Sequence, residues 1–214
     1  LDLFQADMTP EDNFRAKANM ASMDPQSFHE MVDLGLHHQY MENAFQLNHG
    51  LNEEGIPLFG DVSRLTGTAL TDWSWSPLFA DFDNDGYRDL HVTNGTRRDI
   101  NNKDYFKQFE RDYFGKKSQD LSSLERTLNI PAQAVDNYLF QQQASLRFTE
   151  VAKEWGASFE GFTNGSAYGD LDNDGDLELV TNNIDAQASL FENLTVQKGK
   201  NNFIRIQLAG PKGN

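Results

Sequence analysis

Two short segments of the sequence place carboxylates at alternate positions, a pattern suited to holding a hard metal cation. The first segment runs from Asp81 to Asp89 and the second from Asp170 to Glu178. Both follow the pattern Asp-x-Asp-x-Asp-Gly-x-x-acid, and alternate carboxylates of a tight loop can converge on one point. Ca²⁺ takes six to eight oxygen ligands at about 2.3–2.6 Å. The spacing therefore predicts one calcium site in each loop.

The predicted ligands occupy the odd-numbered positions of each loop. Gly86 and Gly175 allow the turn that points the next backbone carbonyl inward, and the ninth position closes the site. The predicted ligand set is Asp81, Asp83, Asp85, Tyr87 and Asp89 in the first loop and Asp170, Asp172, Asp174, Asp176 and Glu178 in the second. Carboxylates this close repel one another without a cation, so we expect Ca²⁺ to supply part of the folding energy of each loop.

Two other interpretations of the loops fit the sequence less well. An EF-hand shares the first nine positions, but it requires a bidentate acid at position twelve and flanking helices. Position twelve is Val92 or Thr181 here, and the flanks have the pattern of strands. An ordinary Asp- and Gly-rich turn is the simpler alternative, and the duplication of the whole pattern argues against it.

The loops belong to a longer internal repeat with an offset of 89 residues, the distance from Asp81 to Asp170. The segment from Leu78 to Asn94 aligns without gaps with the segment from Ala167 to Asn183. Each unit contains a strand, a short strand, a long loop, a third strand, the Asp-rich turn and a fourth strand. The fourth strands alternate apolar and polar residues, which predicts that they are half-buried. Four short strands in a repeated unit are typical of a β-propeller blade.

Two stretches interrupt this strand pattern with helical periodicity. Pro25 is placed to open a helix in the first stretch, where Gly35 weakens the pattern. Aromatic residues such as Tyr105 and Phe109 recur at helical spacing in the second stretch, which ends before Pro131. Because both apolar stripes need cover, we expect the two insertions to pack together as a cap on one side of the sheets.

The predicted fold class is mainly β, a fragment of a β-propeller with two calcium-loop blades and two helical insertions. Asp2 aligns with Asp89, so the chain is expected to open inside a preceding repeat whose loop is cut away. The predicted segments are the tail of that repeat at 1–7, a helical insertion at 8–42, a blade at 43–96, a second helical insertion at 97–135, a second blade at 136–187, and the start of a further blade at 188–214.

Composition narrows the classes of function. The net charge is −15 and the sequence pI is about 4.6, which disfavours nucleic acid as a partner because phosphates would be repelled. Cysteine is absent, so neither disulfides nor thiolate sites contribute. No apolar run approaches the roughly 20 residues that a membrane span needs. Hydrophobic residues at 38% favour a folded chain over a disordered one.

The Asp-x-Asp-x-Asp-Gly-x-x-Asp-Leu pattern between strands resembles the FG-GAP repeats of integrin α-subunit propellers and the related VCBS repeats. The wider pattern is similar to that of bacterial exported proteins that combine VCBS repeats with an ASPIC/UnbV domain, a group related to cartilage acidic protein. The matching stretches are 7–14, 37–43, 73–75, 81–99 and 168–185. Glu178 departs from the usual Asp, and no complete ASPIC/UnbV segment is present; the chain after Asn202 resembles only the approach to one.

The resemblance implies a calcium-loaded propeller of a secreted, periplasmic or cell-surface protein, with no catalytic residues. The expected role is cell adhesion or another interaction with a glycan or a cell-surface protein. The alternative is a part of a calcium-dependent propeller polysaccharide lyase or hydrolase, with candidate residues His37, His38, Tyr40, Arg97 and Arg98. Two calcium ions at most are expected in this chain, besides the site broken at Asp2.

Three further groups of residues have a functional and a structural interpretation. His29, Asp33 and His37 could share one helix face and bind Zn²⁺, or they could be surface and packing residues. Trp73, Trp75 and Tyr168 could stack on sugars, although aromatic residues next to such loops more often pack inside a blade. The stretch Arg97-Arg98-Asp99 could bind an anion, or it could be an ion-paired corner; we expect an internal ion pair with Asp99 or Asp104.

Overall fold

The computed structural model describes residues 2–19, 25–38, 40–114 and 122–199, together with residues 201, 203, 204, 206 and 210. The strands are β1 Leu3–Gln5, β2 Ala44–Leu51, β3 Pro57–Asp61, β4 Ser74–Ala80, β5 Asp89–Asn94, β6 Val135–Asp136, β7 Tyr138–Gln143, β8 Arg147–Glu150, β9 Glu160–Gly161, β10 Thr163–Gly169, β11 Glu178–Asn183 and β12 Ser189–Phe191. The helices are α1 Asn13–Asn19, α2 Pro25–Asp33, α3 Ser63–Thr66, α4 Lys103–Phe114, α5 Ser123–Leu128 and α6 Ala152–Trp155.

The strands form antiparallel sheets, and the prediction of a mainly β fold is confirmed. In the described part of the chain the first sheet has the order β1-β2-β3, the second β4-β5-β7-β8 and the third β10-β11-β12. A small two-stranded sheet pairs β6 with β9. Strand β10 also contacts β4 and β5 of the second sheet, which places the third sheet beside the second.

The sequence repeat corresponds to a structural repeat. Both Asp-rich segments connect antiparallel strands, with Ala80 opposite Asp89 in one hairpin and Gly169 opposite Glu178 in the other. The short helices α3 and α6 are also equivalent, since each follows a valine and each ends at a glycine in the left-handed conformation, Gly67 or Gly156. Equivalent local geometry at an offset of 89 residues extends the repeat well beyond the loops.

Asp2 lies where the alignment with Asp89 predicts. Its Oδ1 accepts a hydrogen bond from the backbone amide of Asn48 on β2 at 2.9 Å, and Asp89 Oδ1 accepts one from the amide of Gln142 on β7 at 2.9 Å. The strand register pairs Leu3 with Gln46 and Leu90 with Phe140. By this register, the residue that donates its amide lies, in both sheets, one position past the residue directly opposite the aspartate. Strands β1 and β5 are therefore equivalent.

The predicted blade boundaries at 43–96 and 136–187 do not coincide with the sheets. Residues 44–61 form β2 and β3, which pair with β1, whereas residues 74–94 form β4 and β5, which pair with β7 and β8. The chain crosses from one sheet to the next through α3, so the sequence repeat contains the end of one sheet and the start of another. The sequence period gives the length of a repeat, but it does not show at which residue the chain passes from one sheet to the next.

The prediction that β5 is half-buried was wrong, because every residue of this strand is buried. Side chains of a strand alternate between its two faces. Leu90 and Val92 pack with Phe4 of the first sheet, and the opposite face meets the third sheet through β10. Because both faces of this central strand are covered, the polar residues at its alternate positions are buried as well. Their alternation with apolar residues led to the wrong prediction that one face is exposed.

The helical insertions leave the sheets at equivalent points. One lies between β1 and β2 and the other between β5 and β7, which are equivalent pairs of strands. Since the Asp-rich loop precedes β5 and the insertion follows it, the insertions lie at the end of the sheets opposite the loops. The predicted start of α2 at Pro25 is confirmed, as is the end of the second insertion's helices before Pro131.

The insertions meet through α1 and α4. Phe28 instead packs against the rings of its own insertion, including a stacked contact with His38 at 5.8 Å. Phe109 faces the Arg126 side chain of α5, and Phe106 is 38% exposed. Among the described residues, the two insertions thus touch through α1, while Phe28 packs inside its own insertion.

Candidate metal centres

The first Asp-rich loop folds around its own carboxylates. Asn84 and Gly86 have positive φ angles of 55° and 92°, which turn the chain sharply. The backbone amides of Asp85 and Gly86 donate to the two oxygens of Asp81 at 3.0 and 2.9 Å, and the amide of Tyr87 donates to Asp85 at 2.7 Å. These bonds hold the acidic side chains on the inner side of the turn.

Three of the predicted ligands of this loop converge. Asp81, Asp83 and Asp85 each offer one carboxylate oxygen, and these oxygens lie within 4.8 Å of one another. Two oxygens bound to the same Ca²⁺ can be at most about 5.2 Å apart, twice the longest common Ca–O distance. The three carboxylates therefore fit one coordination sphere. Burial raises the pKa of Asp83, as expected for a charge held partly out of water.

Asp89 has a different position from the one predicted for a closing ligand. Its side chain is fully buried, and both oxygens accept backbone amides, from Phe82 at 3.0 Å and from Gln142 at 2.9 Å. Burial raises its pKa to about 7. Asp89 thus ties the start of the loop to the next strand, and it does not join the group of three carboxylates. The Tyr87 carbonyl stays a predicted ligand.

The second loop repeats this turn, with φ angles of 67° at Asn173 and 99° at Gly175. Glu178 accepts the amide of Leu171 through Oε2 at 2.7 Å, as Asp89 accepts that of Phe82. Its predicted ligands form two groups that share Glu178. In one group the oxygens of Asp170, Asp172 and Glu178 lie within 4.8 Å of one another, and in the other those of Asp174, Asp176 and Glu178 do.

Two carboxylate oxygens of the second loop are buried without a hydrogen-bond partner, Oδ1 of Asp176 and Oε1 of Glu178. Such groups are rare in folded proteins because burial without a partner is costly. Burial also raises the pKa of Asp176. Sequence reasoning assigned Asp176 only a backbone carbonyl; its buried carboxylate was missed because seventh-position side chains carry no constraint in the pattern.

The described residues 193–199 and 201 connect the two loops. The side-chain amide of Asn193 donates to the carbonyls of Phe82 and Leu177, at 2.6 and 3.2 Å, and that of Asn201 donates to the carbonyl of Asp83 at 2.6 Å. The loops also touch directly, since Asn84 donates to the Gly175 carbonyl at 3.2 Å. These residues lie in the predicted start of a further blade at 188–214, but that prediction carried no information about bonds to the two loops.

A cleft with a volume of about 400 Å³ lies beside the loops, between the second and third sheets. Its floor is apolar and includes Leu139, Trp155 and Leu179, whereas its rim carries Asp83 and Glu154. One ligand candidate of the first loop therefore also borders the cleft. Asp83 is held there by a hydrogen bond from the Gln141 side chain at 2.6 Å.

The structure does not bring His29, Asp33 and His37 onto one helix face. Helix α2 ends at Asp33, and the Leu36 amide donates to the Met31 carbonyl while Gly35 takes a φ of +78°, a common helix stop. His37 therefore lies beyond the helix, and all three side chains are exposed. The zinc interpretation has no support among the described residues.

The aromatic residues near the loops differ in exposure. Trp75 and Tyr168 are 46% and 43% exposed, whereas Trp73 is half-buried. The Trp75 indole donates to the Gly95 carbonyl at 2.8 Å. Sugar stacking by these residues stays a prediction.

The ion pair predicted for Arg97 has another partner. Arg97 pairs with Asp185, two residues after the end of β11, and not with Asp99 or Asp104. Asp99 is buried, and one of its oxygens lies 3.7 Å from the Arg15 guanidinium instead. The two chain segments that follow β5 and β11 are adjacent in the structure, and their sequence separation hid this pair.

Comparisons with known proteins leave the chain without a family assignment. No family model, curated protein or solved structure matches it. In the described part of the chain, no helix combines the length and the apolar character that crossing a bilayer requires.

Proposed function

We propose that this chain is a calcium-binding, non-catalytic segment of a β-propeller. One observation carries the proposal: two equivalent hairpin loops each gather carboxylate oxygens within the span of one Ca²⁺ coordination sphere. The unpartnered buried oxygens of Asp176 and Glu178 support it, because a bound cation would compensate them. The all-oxygen donor set suits Ca²⁺ better than Zn²⁺, which favours nitrogen and sulfur ligands.

The arrangement of the sheets supports the propeller part of the proposal. The sheet β4-β5-β7-β8 has four antiparallel strands, which is the number and arrangement of strands in one propeller blade. The first and third sheets present equivalent strands on either side of it, β1 to β3 before and β10 to β12 after. Apolar cores lie on both faces of this central sheet, as expected for neighbouring blades packed face to face.

The proposed role is adhesion or another glycan or protein interaction by an exported bacterial protein. The resemblance to VCBS and FG-GAP repeats supports this role, as does the acidic composition, which disfavours nucleic acid. The cleft beside the first loop favours the second candidate, a part of a calcium-dependent polysaccharide lyase or hydrolase, because Asp83 and Glu154 border it. Release of oligosaccharides from acidic polysaccharides would distinguish an enzyme from a binding module.

Calorimetric titration of the chelator-stripped chain with Ca²⁺ tests the central proposal. We expect binding, and we expect the melting temperature to rise with Ca²⁺; an ion present at 100 times its dissociation constant stabilises the folded state by about 2.7 kcal/mol. Asp83→Ala and Asp172→Ala should each reduce the bound calcium and the rise in melting temperature. Asp104→Ala, an exposed acid on α4, is the matched control and should behave as the unaltered chain.

Absence of Ca²⁺ binding by the folded, stripped chain would contradict the proposal. So would two loop variants that keep the melting temperature of the unaltered chain both in saturating Ca²⁺ and in chelator. Binding to an array of glycans, with and without Ca²⁺, then tests the proposed role separately from the metal.

A further inference from the structure

The two acidic loops differ at the positions that decide how many cations each can hold. The seventh position is Tyr87 in the first loop and Asp176 in the second, and the ninth is Asp89 or Glu178. Both oxygens of Asp89 are occupied by backbone amides. Glu178 has the longer side chain, and only its Oε2 accepts an amide in this way, from Leu171. At the ninth position, the second loop therefore has one carboxylate oxygen that accepts no backbone amide, whereas in the first loop both oxygens accept one.

Glu178 belongs to two groups of carboxylates at once. With Asp170 and Asp172 it forms one group, and with Asp174 and Asp176 it forms another, each within 4.8 Å. Either group fits the coordination sphere of a single Ca²⁺. The first loop forms one such group, from Asp81, Asp83 and Asp85 only.

The second group contains the two buried oxygens that lack a partner. Asp176 is fully buried, and its Oδ2 accepts the Val196 amide at 2.9 Å, which leaves Oδ1 beside the neighbouring acids. Glu178 is 3% exposed, and its Oε1 is likewise buried without a hydrogen-bond partner. Two fixed, buried anionic side chains, each with one uncompensated oxygen, are the arrangement that a desolvated cation would satisfy.

We propose that the second loop holds two calcium ions bridged by Glu178, one with Asp170 and Asp172 and the other with Asp174 and Asp176. The five carboxylates of this loop carry five negative charges when ionised, and two divalent ions bring four positive charges. The inference rests on the proposed calcium binding and adds a third ion to the one expected in each loop.

Equilibrium dialysis with radioactive calcium measures the number of ions bound. The unaltered chain is expected to bind three. Glu178→Asp gives the second loop the ninth residue of the first, and we expect it to bind two. Asp176→Asn removes one charge while keeping the acceptor for Val196, and we also expect two. Asp104→Asn, remote from both loops, should keep three.

The variant Asp83→Ala tests the inference without altering the second loop, and it should retain two ions. The proposed pair is contradicted if the unaltered chain binds two ions and Asp83→Ala binds one, a result that leaves one calcium in each loop and the proposed function intact. It is also contradicted if Glu178→Asp and Asp176→Asn both bind three. A folded chain that binds no calcium would overturn the proposed function itself. Near-ultraviolet circular dichroism establishes that each variant is folded before its ions are counted.

Discussion

His91 is a titratable residue held in the centre of the fold. It is fully buried on β5, where its strand neighbours are Leu78 and Leu139, and neither ring nitrogen has a hydrogen-bond partner. Burial lowers its pKa to about 4. The neutral imidazole is thus the form that the native structure accommodates, because a buried charge here would have no compensating group.

The contribution of His91 to the stability of the chain should therefore fall in mild acid, while Asp89, whose burial raises its pKa, contributes in the opposite direction. An unfolded histidine titrates near pH 6.5, so between pH 6.5 and pH 4 the unfolded state binds the proton that the folded state excludes. The stability associated with neutral His91 is complete above pH 6.5 and is lost as the pH falls, by about 3 kcal/mol at pH 4. Urea denaturation in excess Ca²⁺ at pH 7 and pH 4.5 measures the loss.

His91→Leu is the matched variant for this prediction, because it keeps the acidic loops and removes the imidazole. Between the two conditions, the unaltered chain should lose about 2–3 kcal/mol more of its free energy of unfolding than His91→Leu does. An equal change in both proteins would contradict the contribution assigned to His91.

At the scale of residues, the sequence predicted which carboxylates converge but not how each is used. Alternation and a glycine are local features, so Asp81, Asp83 and Asp85 could be found from spacing alone. The amides that occupy Asp89 come partly from β7, more than 50 residues away along the chain. A role that depends on a distant strand leaves no trace in the spacing of a loop.

At the scale of elements, α1 is held in place by one buried cation. Arg15 donates to both oxygens of Asp72, at 2.8 and 2.9 Å, and to the Gln133 side chain at 2.9 Å. Asp99 lies 3.7 Å from the same guanidinium. Burial raises the pKa of Asp99, and the positive charge of Arg15 acts in the opposite direction. Arg15 thereby joins the first insertion to the second and to the turn before β4.

Replacing Arg15 by Met should lower the free energy of unfolding by about 3–5 kcal/mol, because it leaves two buried carboxylates without a cation. Arg64→Met is the control. Arg64 also pairs with a carboxylate, that of Glu42, but its side chain is 73% exposed. Loss of that pair should cost less than about 1 kcal/mol. Chemical denaturation of both variants measures the difference, and equal effects would show that the Arg15 cluster adds nothing beyond a surface pair.

Helix α1 also shows where periodicity fails. The sequence predicted α2, α4 and α5 from apolar stripes, whereas the buried residues of α1 are Arg15, Ala18 and Asn19. Its one large apolar residue, Phe14, is 72% exposed. A helix anchored by an ion pair has no apolar stripe, so a search for such stripes cannot find it.

At the scale of the whole molecule, calcium should affect one end of the sheets and not the other. The segment 193–199 bonds to both loops, partly through Asn193 and through the Val196 amide on Asp176. Helices α4 and α5 lie at the opposite end. If Ca²⁺ binds as proposed, its removal should leave the carboxylates to repel one another, and that repulsion should act directly on the segment.

Hydrogen exchange with and without chelator tests this division. Chelation should increase exchange in both loops and in residues 194–199, while α4 and α5 change little. Asn193→Ala removes the two side-chain bonds that span the loops, and its segment should exchange faster even with Ca²⁺ present. An increase of similar size in α4 would show that the two ends respond as one unit.

The placement of the insertions has a consequence for protein engineering. The connections after β1 and β5 accommodate long helical stretches, while the equivalent connection after β11 spans only residues 184–188. Ala186 and Gln187 in this short connection are exposed. A peptide epitope or a small domain grafted between these two residues would extend from the same end of the sheets as the two natural insertions. This end is remote from the acidic loops. The connection after β11 is thus a suitable site for inserting a foreign sequence.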